Sequence, residues 1–189
     1  MDSALIVSGG ERGIEVLSQI LHQAGLERLA TVPTAARARQ LLMEGTFSLC
    51  LINAPLPDET GERLALDLAA RGECEVVLCL RAQEFEQVSS RVEGAGVLTV
   101  SKPLHRTLFW NTLKVAMATH RRVQRFRAEN ARLSRMLEDM RVIDRAKWQL
   151  ITHRGLSEEE AHRFLEKQSM DTRRSKREVA EEILRAYAP

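Results

Sequence analysis

Basic side chains in tight groups offer the clearest chemistry in this sequence. Arg145 and Lys147 follow Arg141 by about one helical turn, and His153-Arg154 stands further on. Arg173-Arg174 with Lys176-Arg177 makes the densest group. Guanidinium and ammonium groups so placed suit a polyanion, because each donates charge-assisted hydrogen bonds to phosphate oxygens. The net charge of +2 hides this bias: from His120 onward 17 Lys+Arg stand against 12 Asp+Glu, and the remainder holds 11 against 14. Any one arginine serves equally well on a solvated helix face or in an ion pair with the acidic run at 158–160. The group around Arg174 is what points to nucleic acid.

Other chemistries find little footing. No nucleophile–base pair or paired carboxylate spacing stands out, so the chain is expected not to be an enzyme. Cys50, Cys74 and Cys79 lack C-x-x-C spacing and sit in or beside apolar runs, as small buried hydrophobes do. The five histidines are not at metal-ligand spacing, so no metal is expected. Ser8-Gly9-Gly10 before a helix could hold an anion on backbone amides, but neither G-x-G-x-x-G nor P-loop spacing is present and a plain turn is the simpler reading. No cofactor is implied. No apolar run approaches the ~20 residues that span a bilayer, and Met1-Asp2-Ser3 leads straight into a strand pattern. A cytoplasmic protein with no membrane partner is expected.

The elements that must position these residues fall into two regimes. Short apolar runs at 4–7, 29–32, 49–52, 75–80 and 97–100 read as strands. Between them lie amphipathic helices at 13–23, from Thr34 as N-cap to near Gly45, at 62–70 and at 84–93. Five such βα units predict an α/β domain, flavodoxin-like, with a parallel sheet covered on both faces. From Leu104 to Gly155 the chain has no Gly or Pro, enough for one helix about 75 Å long at 1.5 Å per residue. Its middle fits a heptad, with Val123, Asn130 and Leu137 at a and Phe126, Leu133 and Met140 at d. A buried amide at Asn130 finds its partner when the same residue faces it, which favours a parallel homodimer in fixed register. The competing arrangement packs this helix on its own domain and leaves Asn130 exposed. Two short helices follow, each opened by a capping box, Ser157 with Glu160 and Ser175 with Glu178. With the end of the long helix they predict a compact three-helix unit.

The first region resembles a two-component receiver domain, over roughly 1–118. The resemblance is carried by the Ile6-Val7 strand end, the turn Asn53-Ala54-Pro55-Leu56-Pro57 with Gly61 beyond it, and Lys102-Pro103. In that family the turn reads D-x-x-x-P and its aspartate accepts a phosphoryl group. Here the position is Asn53, whose amide cannot form an acyl phosphate. The acidic pair that would hold Mg²⁺ is replaced by Ser8, Gly9 and Gly10, and the hydroxyl residue after the fourth strand by Arg81. Only Lys102 remains. The resemblance therefore implies a pseudo-receiver.

The last portion resembles an ANTAR domain, the RNA-binding module of transcription antitermination regulators. It rests on Arg145-Ala146-Lys147, Leu150, Gly155-Leu156-Ser157-Glu158, Ala161, Leu165, Met170 and Val179-Ala180. Trp148 departs from the small residue usual there, and packing in a core or interface is the simpler use of its ring than base stacking. The order receiver, coiled coil, ANTAR is similar to the aliphatic-amidase and ethanolamine-utilisation antiterminators. It implies a pseudo-receiver at 1–118, a coiled-coil linker at 119–140 and an RNA-binding domain at 141–189. The implied partner is a pair of RNA hairpins in a leader transcript, held by a dimer through Arg141, Arg145, Lys147, Arg154, Arg173, Arg174, Lys176 and Arg177. With no phosphorelay, a sequestering regulatory protein is a further possible partner. The competing readings are a DNA-binding response regulator, with the final helix as reader, and a protein-binding pseudo-receiver adaptor.

Overall fold

A computed structural model describes residues 3–187; the outermost residues of the expected first and last domains, 1–2 and 188–189, lie outside the described residues. The element order is β1 (Ser3–Val7), α1 (Glu11–Gln23), β2 (Arg28–Val32), α2 (Ala35–Glu44), β3 (Leu49–Asn53), α3 (Glu62–Arg71), β4 (Glu75–Arg81), α4 (Ala82–Val92), β5 (Leu98–Lys102), α5 (Arg106–Arg154), α6 (Glu158–Thr172) and α7 (Lys176–Ala186). The chain divides into two compact units, Met1–Gln124 and Arg125–Pro189.

In the first unit the five strands form one sheet of order β2-β1-β3-β4-β5, every neighbouring pair parallel. This is the flavodoxin-like order, and the α/β fold expected from the alternation of runs is the fold found. The strands read as nearly unbroken apolar runs because alternate residues enter different cores. Leu5, Val7, Cys50, Ile52 and Leu78 face α2, α3 and α4 through Leu42, Leu64 and Val88. Ala4, Ile6, Leu49, Leu51 and Cys79 face the opposite layer, where Leu17 and Leu21 of α1 meet Phe109 and Leu113 of α5. Phe109 is wholly buried; truncating such a ring to Ala costs ~3–5 kcal/mol. The three cysteines are buried and free, as their apolar settings required, and burial pushes the Cys74 thiol up to about 11 and that of Cys79 to about 12.

Helix α5 runs 49 residues and closes at Gly155, whose φ of 66° would strain a side chain. Within the second unit its last turns join α6 and α7 around Val142, Ala146, Leu150, Ala161, Leu165, Val179 and Ala180. Both expected capping boxes are formed, with Ser157 and Ser175 accepting from the amides of Glu160 and Glu178. Thr34 caps α2 as expected, accepting from Arg37 N.

Candidate nucleic-acid interface

The turn that would hold a phosphoryl group is built from β1, β3 and the first turn of α1. Ser8 is fully buried; its hydroxyl donates to Gly10 O at 3.2 Å and accepts from Asn53 Nδ2 at 3.0 Å. A methyl on Gly13 would overlap both the Asn53 amide and the Ser8 hydroxyl, so a residue without Cβ lets α1 close over the pair. Lys102 donates from Nζ to Ala54 O at 2.5 Å, and burial lowers its pKa. Both the Ala54-Pro55 and Lys102-Pro103 bonds are cis. Arg81, where the family has a hydroxyl, pairs with Glu84 at 2.7 Å. Among the described residues no carboxylate hydrogen-bonds to Ser8, Asn53 or Lys102, so the residues present do not fit Mg²⁺, which needs hard anionic oxygens. Ser8-Gly9-Gly10 is a turn whose hydroxyl is spent on neutral partners, not an anion cradle.

Along α5 the heptad positions are uncovered by the chain itself. Val123 is half-buried, whereas Phe126, Asn130, Leu133, Leu137 and Met140 are exposed, Phe126 by 64%. Beyond Met140 the next a and d positions are Asp144 and Lys147, which pair with each other at 2.8 Å. The apolar stripe therefore ends where the three-helix core begins.

The cations expected to meet nucleic acid all lie on the second unit, but most already hold carboxylates. Lys147, its side chain only 17% exposed, reaches Asp144 and Glu158. Arg174 meets Glu182 at 2.5 Å, and Lys176 meets Glu166 at 2.6 Å. Arg177 bridges Asp139 of α5 at 2.6 Å and Glu181 at 2.8 Å. These pairs raise the pKa values of Lys147 and Arg177 and lower that of Glu166, through side-chain hydrogen bonds to Asp144, Asp139 and Lys176 respectively. Arg141 is only loosely paired, at 3.9 Å from Glu138. Arg145 and Arg173 are exposed and make no ion pair among the described residues, and Arg173 caps α6 in the left-handed region with φ 53°. At the start of α7, Glu178 already accepts from the Ser175 amide, and Ser175 from that of Glu178. Part of the expected helix-end site for phosphate is thus filled by the chain's own capping box.

Arg154 behaves differently. Its Nε donates to Tyr187 Oη at 2.7 Å, and its guanidinium lies 5.2 Å from the Phe164 ring centroid. Tyr187 in turn stacks on His153, with centroids 4.8 Å apart and planes 11° from parallel. Sequence reasoning singled out Arg154 but not Phe164 or Tyr187 as its companions, because only packing of α6 and α7 on α5 brings them together. Of the two places expected for Trp148, the core of its own chain is ruled out, because the ring is 66% exposed. Such ion pairs at a surface contribute little to stability, so the unit's cations are held in place yet available to a stronger anion.

Among the described residues no group of three His, Cys, Asp or Glu side chains could hold a metal ion. No helix among them is long and apolar enough to cross a membrane.

Residues 131–184 match the family model of the ANTAR domain. The chain is also 23% identical over 168 residues to the transcriptional regulatory protein PdtaR of Mycobacterium tuberculosis H37Rv, covering 89% of this chain and 82% of that one. The first unit superposes on the signal receiver domain of an HD domain-containing protein from Pseudomonas fluorescens Pf-5. The TM-score is 0.59 at 19% identity, over 66% of this chain and 92% of that one. A CheY-like receiver domain from Methanospirillum hungatei JF-1 gives 0.57 at 20% identity, over 65% and 98%. At such identities the structural matches speak for the fold alone.

Proposed function

For this chain, which carries an ANTAR domain behind a receiver-like domain, we propose a regulator that binds RNA hairpins of a nascent leader transcript and prevents a terminator stem from forming. The observation that carries this reading is the match at 131–184, which falls on the three-helix unit bearing Arg141, Arg145, Lys147, Arg154, Arg173, Arg174, Lys176 and Arg177. Hairpin loops present dense phosphate and unstacked bases. Arg145 and Arg173 stand ready for phosphate, and the ion-paired cations can exchange an exposed carboxylate for a phosphate at small cost.

The regulator acts as a parallel homodimer. The exposed stripe of Phe126, Leu133, Leu137 and Met140, with Asn130 facing its counterpart, supports this reading. Two copies then present two heads to two tandem hairpins. Aspartyl phosphorylation plays no part, because Asn53 and Ser8 satisfy one another where a nucleophile and a metal would stand. The protein is non-enzymatic and works in the cytoplasm, where transcripts are made; control falls to a partner that sequesters it, a ligand or its abundance.

A gel shift tests this directly, comparing tandem RNA hairpins with duplex DNA over a range of salt. Hairpin binding that weakens as salt rises supports the reading. Preference for duplex DNA would make it a DNA-binding response regulator, and binding to neither a protein-docking adaptor.

A further inference from the structure

We propose that the second unit contains a receptor for a single unstacked RNA base, in the cleft where the end of α5 meets α6 and α7. This rests on the RNA-binding reading above and names what part of the RNA the unit grips. The cleft has a volume of about 240 Å³, below the ~300 Å³ at which pockets for drug-sized ligands begin. That is room for one flat heterocycle rather than a helix. Its wall is unusual for a surface cleft. The Arg154 guanidinium, fixed by Tyr187 Oη and lying over Phe164, offers a planar cation beside two rings. His153 stacks on Tyr187 and steadies its ring. Bases stack on aromatic and guanidinium planes whatever their identity.

The polar lining supplies the rest of what a base needs. Gln168 lines the cleft half-buried, and its side-chain amide makes no hydrogen bond among the described residues. Two N–H donors and a carbonyl acceptor are therefore free to read a base edge. At the rim Arg174 is held by Glu182, and the adjacent Arg173 is exposed without an ion pair among the described residues, so a backbone phosphate entering with the base meets positive charge. Duplex nucleic acid cannot use such a cleft, because its bases are stacked and paired. A hairpin loop can.

The test uses the full-length protein and a tandem stem-loop RNA whose loops it has selected from a randomised pool. Each loop nucleotide is replaced in turn by an abasic one, which keeps sugar and phosphate. Affinity should fall at least about tenfold at one position, in the range found for a stacked base. Ala186→Phe, which fills the cleft from an exposed position on α7, should erase most of that difference, and Gln168→Ala, which removes the edge contact but leaves the stacking planes, should reduce it. Neither should alter affinity for the abasic RNA or the helical circular dichroism. Undiminished sensitivity to the abasic site in both folded variants would overturn the base receptor and leave hairpin binding standing. Failure of the unaltered protein to select any stem-loop would overturn both.

Discussion

The two units of this chain treat their polar groups in opposite ways. In the first, Ser8, Asn53 and Lys102 are satisfied by neutral atoms under a helix turn that only a glycine allows. In the second, Arg174, Lys176 and Arg177 are satisfied by carboxylates at the surface, where water and salt compete for every contact. Such a half-buried cluster around the fully buried Ser8 is costly to disturb, since a buried group left unpaired bears its desolvation penalty. An exposed ion pair is cheap to exchange. Under the proposed function, the first arrangement belongs to a region without a phosphorylation step and the second to one that exchanges its own carboxylates for RNA phosphate.

That contrast can be broken or sharpened by substitution. Changing Arg173, Arg174, Lys176 and Arg177 together to Ala should lower hairpin affinity about a thousandfold. It should also reduce the slope of log K against log salt by about three to four. Thermal melting should barely move, and unchanged affinity would remove this face from the interface. Replacing Leu133 and Leu137 with Lys should give monomers in sedimentation and cost about a hundredfold in binding to tandem hairpins. Binding to a single hairpin should stay as it was, as expected when only avidity is lost.

In the first unit the effects should appear in stability and leave RNA binding untouched. Gly13→Ala should destabilise the fold by ~1–3 kcal/mol, measured by the denaturant midpoint, because its methyl displaces the Ser8–Asn53 pair. Asn53→Asp should cost ~1 kcal/mol through the lost donor to Ser8. It should gain neither Mg²⁺ binding nor label from acetyl phosphate; stable labelling would show that more of the old chemistry survives than the geometry suggests. The smallest effect concerns Asp58, whose carboxylate accepts from the Ala35 and Ala36 amides at 3.0 and 2.9 Å. Those bonds, that from Ala36 foremost, hold its pKa below the ordinary aspartate value. A depressed folded pKa adds stability above the unfolded value and loses it as pH falls through the folded one. The Asp58→Asn variant should therefore be the weaker at pH 7, with the gap closing below about pH 4.

Much of this architecture was legible in the residues. The strands announced themselves because both faces of a parallel sheet are covered, and the capping boxes because their partners lie three positions apart. That the family's aspartate position holds an amide at Asn53 was visible from residue type alone. What stayed hidden was every interaction set by packing between elements. The pairing of Arg177 with Asp139 spans 38 positions and that of Asp58 with α2 spans 22 and 23. No periodicity records either. Trp148 was expected in a core or an interface, and its exposure leaves it out of the core of its own chain. The base cleft was invisible for the same reason: Arg154 could be named, but not the rings that orient it.

The loop after β3 carries one further implication. Asp58 fastens it to the start of α2, Glu59 accepts from the Leu64 amide at 2.9 Å, and Arg39 ties Glu59 to Asp67. These contacts hold the segment beyond Asn53 to the starts of α2 and α3. Under the proposed function, which has no phosphorylation step, a search for the controller of this protein begins among binding partners.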